Sequence, residues 1–363
     1  MNAPYDVICV GAGPTGLACA IEAKRAGLHP LVIDKGVLCN SIYRYPVNMV
    51  FFTTPELLEI GDLPFVSAAE KPNRVEALKY YRKCVEHYDL ELRLGEMVMR
   101  VDGADGDFRV HTRVIENNAA DKLGDGGESS HPISVDVLGS QRERGISPHE
   151  HVYEARKLIV ATGYYDLPNC LGAPGEDLPH VSHYYTEPHP FWRRDVVVIG
   201  GKNSAAEAAL DLYRTGARVT LVHRRPELGS TIKYWVRPDI ENRIKAGQIR
   251  ALFNTHVVRI EPEFVHVNGP DGKKVLPAVE VFALTGYHPD FDFLRQLGVK
   301  LDSETNKPAL DPQTLESNVP GLYLAGVVIG GKHTSEIFIE NGRFHGKQII
   351  AALTGTPLAV VQT

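Results

Sequence analysis

The chain is poor in cysteine, has no long apolar run and carries no excess of basic side chains, and each shortage removes a class of protein. Its five cysteines (Cys9, Cys19, Cys39, Cys84 and Cys170) are odd in number and lack paired spacing, which argues against a disulfide framework and for a reduced, cytoplasmic setting. No stretch approaches the ~18 apolar residues of a membrane span. Residue 6 already leads into a first strand, so no signal peptide is expected. Lys and Arg total 39 against 45 Asp and Glu, a formal charge of -6, and nothing suggests nucleic acid as a partner. With 363 residues the chain is long enough for two ordinary domains and a substantial core.

What is present begins with Val7 to Asp34. Val7-Ile8-Cys9-Val10 reads as a buried parallel strand. Gly11-Ala12-Gly13-Pro14-Thr15-Gly16 follows, then a helix over Leu17 to Ala26, a stop at Gly27, and a second strand over Leu28 to Ile33 that ends at Asp34. Strand, glycine turn, helix, strand and acid is the arrangement that holds a dinucleotide. Gly11 makes the turn, Gly13 admits a pyrophosphate, and Gly16 allows close packing of helix on sheet. The helix N-terminus faces the phosphates, and Asp34 accepts the hydroxyls of a ribose.

The unit recurs. Asp195 to Ile199 is a strand, Gly200-Gly201-Lys202-Asn203-Ser204-Ala205 the turn, and Ala217 to Val222 the second strand after Gly216. Gly216 and His223 stand at the same offsets from Gly200 as Gly27 and Asp34 do from Gly11. Two dinucleotide sites are expected. The first ends in a carboxylate, which suits a free ribose diol. The second ends in His223-Arg224-Arg225, whose guanidinium forks suit a 2′-phosphate and select NADPH over NADH. Lys202 occupies the second glycine position of this turn. Gly201, Lys202, Asn203, Ser204, Ala205, His223, Arg224 and Arg225 are the candidate residues here.

In a flavin-binding domain of this plan, the segment after the ribose acid returns toward the isoalloxazine ring. Asn40, Ser41 and Tyr43 are therefore expected at a flavin, and Lys35, next to Asp34, is a further candidate cofactor-binding residue. Gly95 to Val98 has the shape of an adenine-flanking strand, with the Val98 main chain at the base. Phe108 to Val114 and His151 to Ala155 read as an antiparallel ribbon, and Lys157 to Val160 as a separate strand ending in Ala161-Thr162-Gly163 beside the flavin. Residues 117–149 read as a long loop without an assigned function. His180, His183 and His189 lack acidic or thiol partners at ligand spacing, so no metal is expected. Gly326-Val327 follows a late strand. A long helix over Thr334 to Leu353, with Ser335 and Glu336 in its first turn, is expected to aim its positive end at the flavin.

The order of these motifs is similar to that of the low-molecular-weight thioredoxin reductases. Asn40-Ser41-Ile42-Tyr43, Val181-Ser182-His183-Tyr184, Gly200 to Ala205 and Glu336 to Phe344 resemble the YpdA-type bacillithiol-disulfide reductases more closely. That resemblance implies FAD in the first site, NADPH in the second, and reduction of a low-molecular-weight thiol disulfide. It implies an α/β fold of two Rossmann-like dinucleotide-binding domains, the NADPH domain (188–286) inserted into the FAD domain (1–187 and 287–363). A homo-oligomer is expected, with a small disulfide as its partner.

Three departures stand out. Tyr184 and Glu187 occupy the places of the relay dithiol of thioredoxin reductases, which excludes that route. Thr15 stands where the YpdA type often has a cysteine, and a threonine cannot form a mixed disulfide. Val327 replaces an aspartate, so a flavin contact there must come from main chain. Cys39 is the candidate for a substitute thiol, against the simpler reading of a small buried residue. The alternatives are a flavin-dependent monooxygenase, whose connector pattern survives only as His183, a ferredoxin- or flavodoxin-type NADP reductase, and a flavin-bearing redox sensor.

Overall fold

The computed structural model describes residues 3–115 and 149–356, so most of the loop read at 117–149 lies outside the described residues. The chain divides into two compact units, residues 1–43, 50–166 and 289–363 forming one, residues 44–49 and 167–288 the other. The units thus change over at residues 167 and 288, where the sequence reading drew its boundaries at 188 and 286, and the short segment 44–49 goes with the second unit.

The first unit opens with β1 (Tyr5–Val10), α1 (Pro14–Arg25) and β2 (Pro30–Asp34). A four-residue α2 (Asn40–Tyr43), α3 (Arg74–Tyr88), β3 (Glu91–Leu94), β4 (Glu96–Ala104), β5 (Asp107–Val114) and β6 (Glu150–Val160) follow. An Asn73–Glu76 capping box starts α3, which closes at Asp89 in the left-handed region. The sheet runs β3-β2-β1-β6-β5-β4. β6 is one strand of 11 residues, where the sequence reading had two pieces. Its first half, Glu150 to Ala155, pairs antiparallel with β5, and its second half, Ala155 to Val160, lies parallel to β1. Both pieces carry strand signals, and only tertiary pairing shows that nothing interrupts them at Arg156.

The second unit contains β7 (Val181–Ser182), β8 (Asp195–Ile199), α4 (Asn203–Thr215), β9 (Arg218–Val222), α5 (Arg237–Lys245) and β10 (Arg250–Leu252). It continues through β11 (His256–Glu261), β12 (Phe264–Gly269), β13 (Gly272–Pro277) and β14 (Glu280–Ala283). The order β10-β9-β8-β14-β7 is parallel throughout, and β11-β12-β13 form a separate antiparallel meander. Strand alternation decides the layers. Val196 and Val198 join the alanine face of α4, whereas Val197 and Ile199 join Ile260, Val265, Val267 and Leu276 of the meander.

The chain completes the first unit with α6 (Phe291–Gln296), β15 (Leu322–Leu324), α7 (Ile339–Gly342) and α8 (His345–Thr354). β15 lies parallel to the end of β6. Ile8, Val10, Leu31, Ile33, Leu158, Leu322 and Leu324 form one core with Phe291 and Leu294 of α6. The helix expected over Thr334 to Leu353 begins only at Ile339 and breaks between Gly342 and His345. Asn341 Oδ1 accepts from Phe338 N at 2.7 Å, and its amide donates to the Glu336 carbonyl at 3.0 Å, which folds the preceding residues into a turn. Among the described residues no helix is long and apolar enough to cross a membrane.

Candidate functional site

In the first unit, the β1–α1 turn is shaped by what a side chain would strike. Gly11 has φ +113°, and a Cβ there would lie 2.4 Å from the Ala161 carbonyl oxygen. A Cβ on Gly16 would lie 1.9 Å from the Gly11 carbonyl oxygen, whereas one on Gly13 would meet nothing within 4 Å. The closed positions join turn, helix and β6, and the open one leaves room at the helix N-terminus for a pyrophosphate.

Asp34 has a second task that its sequence position does not reveal. Its Oδ2 accepts from Ala12 N at 2.6 Å and its Oδ1 from Gly36 N at 2.7 Å, so the carboxylate ties the glycine turn to the chain leaving β2. Burial pushes the carboxyl up, and the two amides oppose that shift. Lys35 pairs with Asp166 at 3.1 Å. Asn40 folds across Gly36, where an added Cβ would sit 2.5 Å from its Cγ. Ser41 lies inside α2. Tyr43, at its end, is exposed beside the Arg74 guanidinium, which donates through Nε to the Ile42 and Tyr43 carbonyls at 3.1 Å. Val98 lies where the β4–β5 register is interrupted.

The end of β6 and the segment after β15 join the same turn. Ala161 N donates to the Val10 carbonyl at 2.8 Å, and next to Thr162 the left-handed Gly163 has open space where a Cβ would stand. A Cβ on Gly326 would lie 3.2 Å from Thr15 Oγ1. Val327 follows in a 3-10 turn over Gly326–Gly330. Ser335 and Glu336 lie in the turn before α7, and Glu336 is held by Lys307 at 2.8 Å rather than standing in a helical first turn. The expected helix-dipole effect at these two residues is therefore withdrawn, because no helix starts there.

His345 was not singled out by the sequence reading. Its Nδ1 accepts from Gly326 N at 2.9 Å, which requires a neutral ring with its proton on Nε2 and none on Nδ1. Burial lowers its pKa to about 4 from 6.5. The depressed value means the stability held by neutral His345 is complete above the unfolded value of 6.5 and is lost as pH falls toward about 4. The full effect is on the order of 3 kcal/mol. Melting temperature should therefore fall more steeply between those two pH values in the native chain than in His345→Asn, whose Oδ1 accepts without titrating. Equal slopes would refute this assignment.

Cys39 lies in the left-handed region at φ +53° and donates its N–H to the Ala12 carbonyl at 3.0 Å. Its thiol is buried and pushed well above the ordinary value by burial, and further by Asp34 and Cys84. A reactive thiol needs the reverse, access and a positive neighbourhood. Cys39→Ser should leave disulfide turnover within about twofold of the native rate, as measured by steady-state NADPH oxidation.

The second unit repeats the main-chain pattern bond for bond. Gly200 N donates to the Val222 carbonyl at 3.0 Å as Gly11 N does to Ile33 at 2.7 Å, and Leu284 N donates to Ile199 at 2.8 Å as Ala161 N does to Val10. Ala206 N donates to Lys202 at 3.0 Å, the counterpart of Leu17 to Gly13 at 2.9 Å. The rims differ. Where Asp34 grips the Ala12 amide, the His223 ring covers Gly201 so closely that a Cβ there would sit 2.3 Å from it. His223 Nε2 is buried with no hydrogen-bond partner among the described residues, and its pKa is lowered by burial, then by Arg224 and Arg225. Both arginines are exposed. Lys202 caps α4 without a side-chain bond, Ser204 is exposed and Ala205 is buried. Asn203 is occupied: its amide donates to the Thr231 carbonyl at 3.1 Å, and its Oδ1 accepts from Lys233 N at 3.0 Å. His183 is held by Ala283 O at 3.0 Å and Glu176 at 3.3 Å.

The family model described as pyridine nucleotide-disulphide oxidoreductase matches residues 8–150 and 135–326, spans that include both glycine turns. The chain belongs to that family. Within the family, it is 42% identical over 347 residues to bacilliredoxin reductase Bdr of Bacillus subtilis (strain 168), covering 95% of this chain and 96% of that one. The solved bacillithiol disulfide reductase Bdr (YpdA) from Bacillus cereus is 38% identical with a TM-score of 0.86, over 98% of this chain and 100% of that one. Its counterpart from Staphylococcus aureus is 36% identical with a TM-score of 0.83, over 98% and 99%. The resemblance read from Gly200 to Ala205 and from Glu336 to Phe344 is borne out. This pyridine nucleotide-disulphide oxidoreductase is an enzyme, a flavin-dependent disulfide reductase of the thioredoxin-reductase type with FAD and NADPH as cofactors.

Proposed function

We propose that the enzyme reduces the disulfide of a low-molecular-weight thiol, bacillithiol disulfide in the first instance, with NADPH preferred over NADH. The observation that carries the reading is a pair of glycine turns with matching main-chain bonds and opposite rims, Asp34 at one and His223-Arg224-Arg225 at the other. Similarity to the Bdr proteins over nearly the whole chain supports the acceptor class.

In this reading the first unit is the FAD domain. Gly11, Gly13, Pro14, Thr15 and Gly16 give the α1 N-terminus to the pyrophosphate, and Asp34 receives the ribose hydroxyls on lone pairs left after its two amide bonds. Lys35, Asn40, Ser41, Tyr43, the Val98 main chain, Ala161-Thr162-Gly163 and Gly326-Val327 line the remainder. Gly326 is kept in place by His345. Ser335 and Glu336 are left without a cofactor role. The second unit is the NADPH domain. Gly201, Lys202, Ser204 and Ala205 border its pyrophosphate, Asn203 shapes the rim, and Arg224 and Arg225 fork the 2′-phosphate while His223 offers its unpartnered nitrogen. FAD supplies the two-electron carrier between nicotinamide and acceptor. The protein contributes binding, orientation and charge.

No protein dithiol relays the electrons. Tyr184 and Glu187 hold the relay positions, and of the five free cysteines only Cys170 is exposed. The buried thiols suit a reduced, cytoplasmic setting. The test is NADPH oxidation by the purified protein with bacillithiol, glutathione and coenzyme A disulfides, with a bacilliredoxin and with oxygen alone. Turnover on bacillithiol disulfide above the oxygen rate is expected. Turnover with none of the disulfides, or with bacilliredoxin alone, would refute the reading.

A further inference from the structure

A glutamate is almost never fully buried unless it is paired, and Glu96 at the start of β4 is only 3% exposed. Its carboxylate is met from two further strands. The Thr112 hydroxyl of β5 donates to Oε1, His151 Nδ1 of β6 lies 2.8 Å from the same oxygen, and the Tyr153 hydroxyl donates to Oε2 at 3.2 Å. Strand register explains the convergence. Val98, Thr112 and His151 are direct neighbours across β4, β5 and β6, and Glu96, two positions before Val98, points to the same face. Immediately beyond Val98 the β4–β5 ladder slips, and pairing resumes at Arg100 and His111. On the other side of Glu96, the left-handed Gly95 (φ +70°) turns the chain from β3 into β4. Gly95 N donates to the Gly36 carbonyl at 3.1 Å, and Gly36 N is the amide that Asp34 accepts at 2.7 Å.

We propose that Glu96 is a positioning residue for FAD retention: its clamp with Thr112, His151 and Tyr153 fixes the Val98 main chain relative to Asp34. The inference rests on the FAD reading of the first unit, and Glu96 acts through Val98 rather than by touching the cofactor. Asp34 pairs with Leu94 at the end of β3, so the ribose acid and the Val98 main chain are separated by one turn. That path holds a left-handed glycine and ends at a register slip, two places where backbone direction is loosely set. Glu96 stands between them and is the residue bound to β5 and β6. Stability alone does not call for this arrangement, because a buried charged cluster replaced by apolar side chains of like volume is often as stable or more so. A satisfied polar cluster instead holds one geometry.

The test follows FAD release from the diluted holoenzyme by the fluorescence of the free cofactor, alongside the visible bands of the bound flavin and the melting temperature in excess FAD. Glu96→Leu, which dissolves the clamp, should release FAD about tenfold faster. Glu96→Gln should stay within about twofold of native, because its Oε1 still accepts from Thr112 and His151 while its amide donates to the Tyr153 oxygen. Thr112→Val removes one donor at constant shape and should fall between the two. It also carries the test should Glu96→Leu fail to fold. The visible bands should not move, since the clamp acts on the adenosine half. A native release rate in both Glu96→Leu and Thr112→Val, whatever their melting temperatures, would leave the cluster a structural role only and overturn the proposal. Shifted flavin bands would overturn it as well. A native protein that holds no FAD would fail the FAD reading itself, which separates the two.

Discussion

Replacing Arg224 and Arg225 together by alanine is expected to raise the NADPH KM by about 100-fold while the NADH KM moves by less than about threefold. Both guanidiniums are exposed, so solvent and salt screen them, and the pair is therefore assigned about 2–3 kcal/mol rather than the full value of buried charged hydrogen bonds. The asymmetry between the nucleotides is the signature. A general loss of fold at the β9 end would damage both, because His223 N and O are hydrogen bonded to Leu252 and Thr255 there. Lysine at both positions should fall between native and alanine, since it keeps charge and loses the planar fork. Steady-state kinetics with each nucleotide at two ionic strengths decides the matter. An unaltered NADPH to NADH preference would remove the argument from the second rim.

Asp34→Ala should yield a protein that purifies colourless or binds FAD at least about 100-fold more weakly. The substitution leaves the Ala12 and Gly36 amides without their acceptor and takes the ribose ligand away at the same time. Hydrogen bonds to a charged group contribute about 1.5–3 kcal/mol each, so losing the two amide bonds alone costs on the order of several kcal/mol. Asp34→Asn should be milder, because its single carbonyl oxygen can keep one amide and not both. FAD content per chain, with circular dichroism to follow the fold, is the measurement. Full FAD stoichiometry in Asp34→Ala would show that the acid is dispensable.

Both glycine turns were legible because their chemistry is local. Strand, turn, helix and stop lie within one stretch, and the steric demands on Gly11 and Gly16 come from neighbours a few positions away or from the strand beside them. What was missed depends on distant partners. β6 is continuous because β1 and β5 pair along it, a fact that no window around Arg156 contains. The meander over His256–Pro277 covers one sheet face through Val265 and Leu276, and its alternation does not reveal which face. The closing helix was misread because residues after Thr334 carry helix formers, while Asn341 turns back on Phe338 and Glu336.

Site chemistry follows the same division. Asp34, Arg224 and Arg225 are proposed as site residues from their register within the repeat. His345 was not singled out, since its contact with Gly326 spans 19 residues and joins α8 to the end of β15. Asn203 was read as a cofactor residue from its motif, and the structure uses its amide to hold the segment between β9 and α5 at Thr231 and Lys233. Cys39 was singled out for its place after the ribose acid, and the structure buries its thiol beside that same acid, which holds it in the protonated form.

The most direct measurement is anaerobic addition of NADPH to the purified protein while its visible absorbance is recorded, followed by bacillithiol disulfide. Bleaching of a yellow protein by NADPH, markedly slower bleaching by NADH at equal concentration, and return of the colour on addition of the disulfide is the predicted sequence. A colourless protein that takes up no FAD, or a colour that NADPH leaves untouched, would contradict the account at its root.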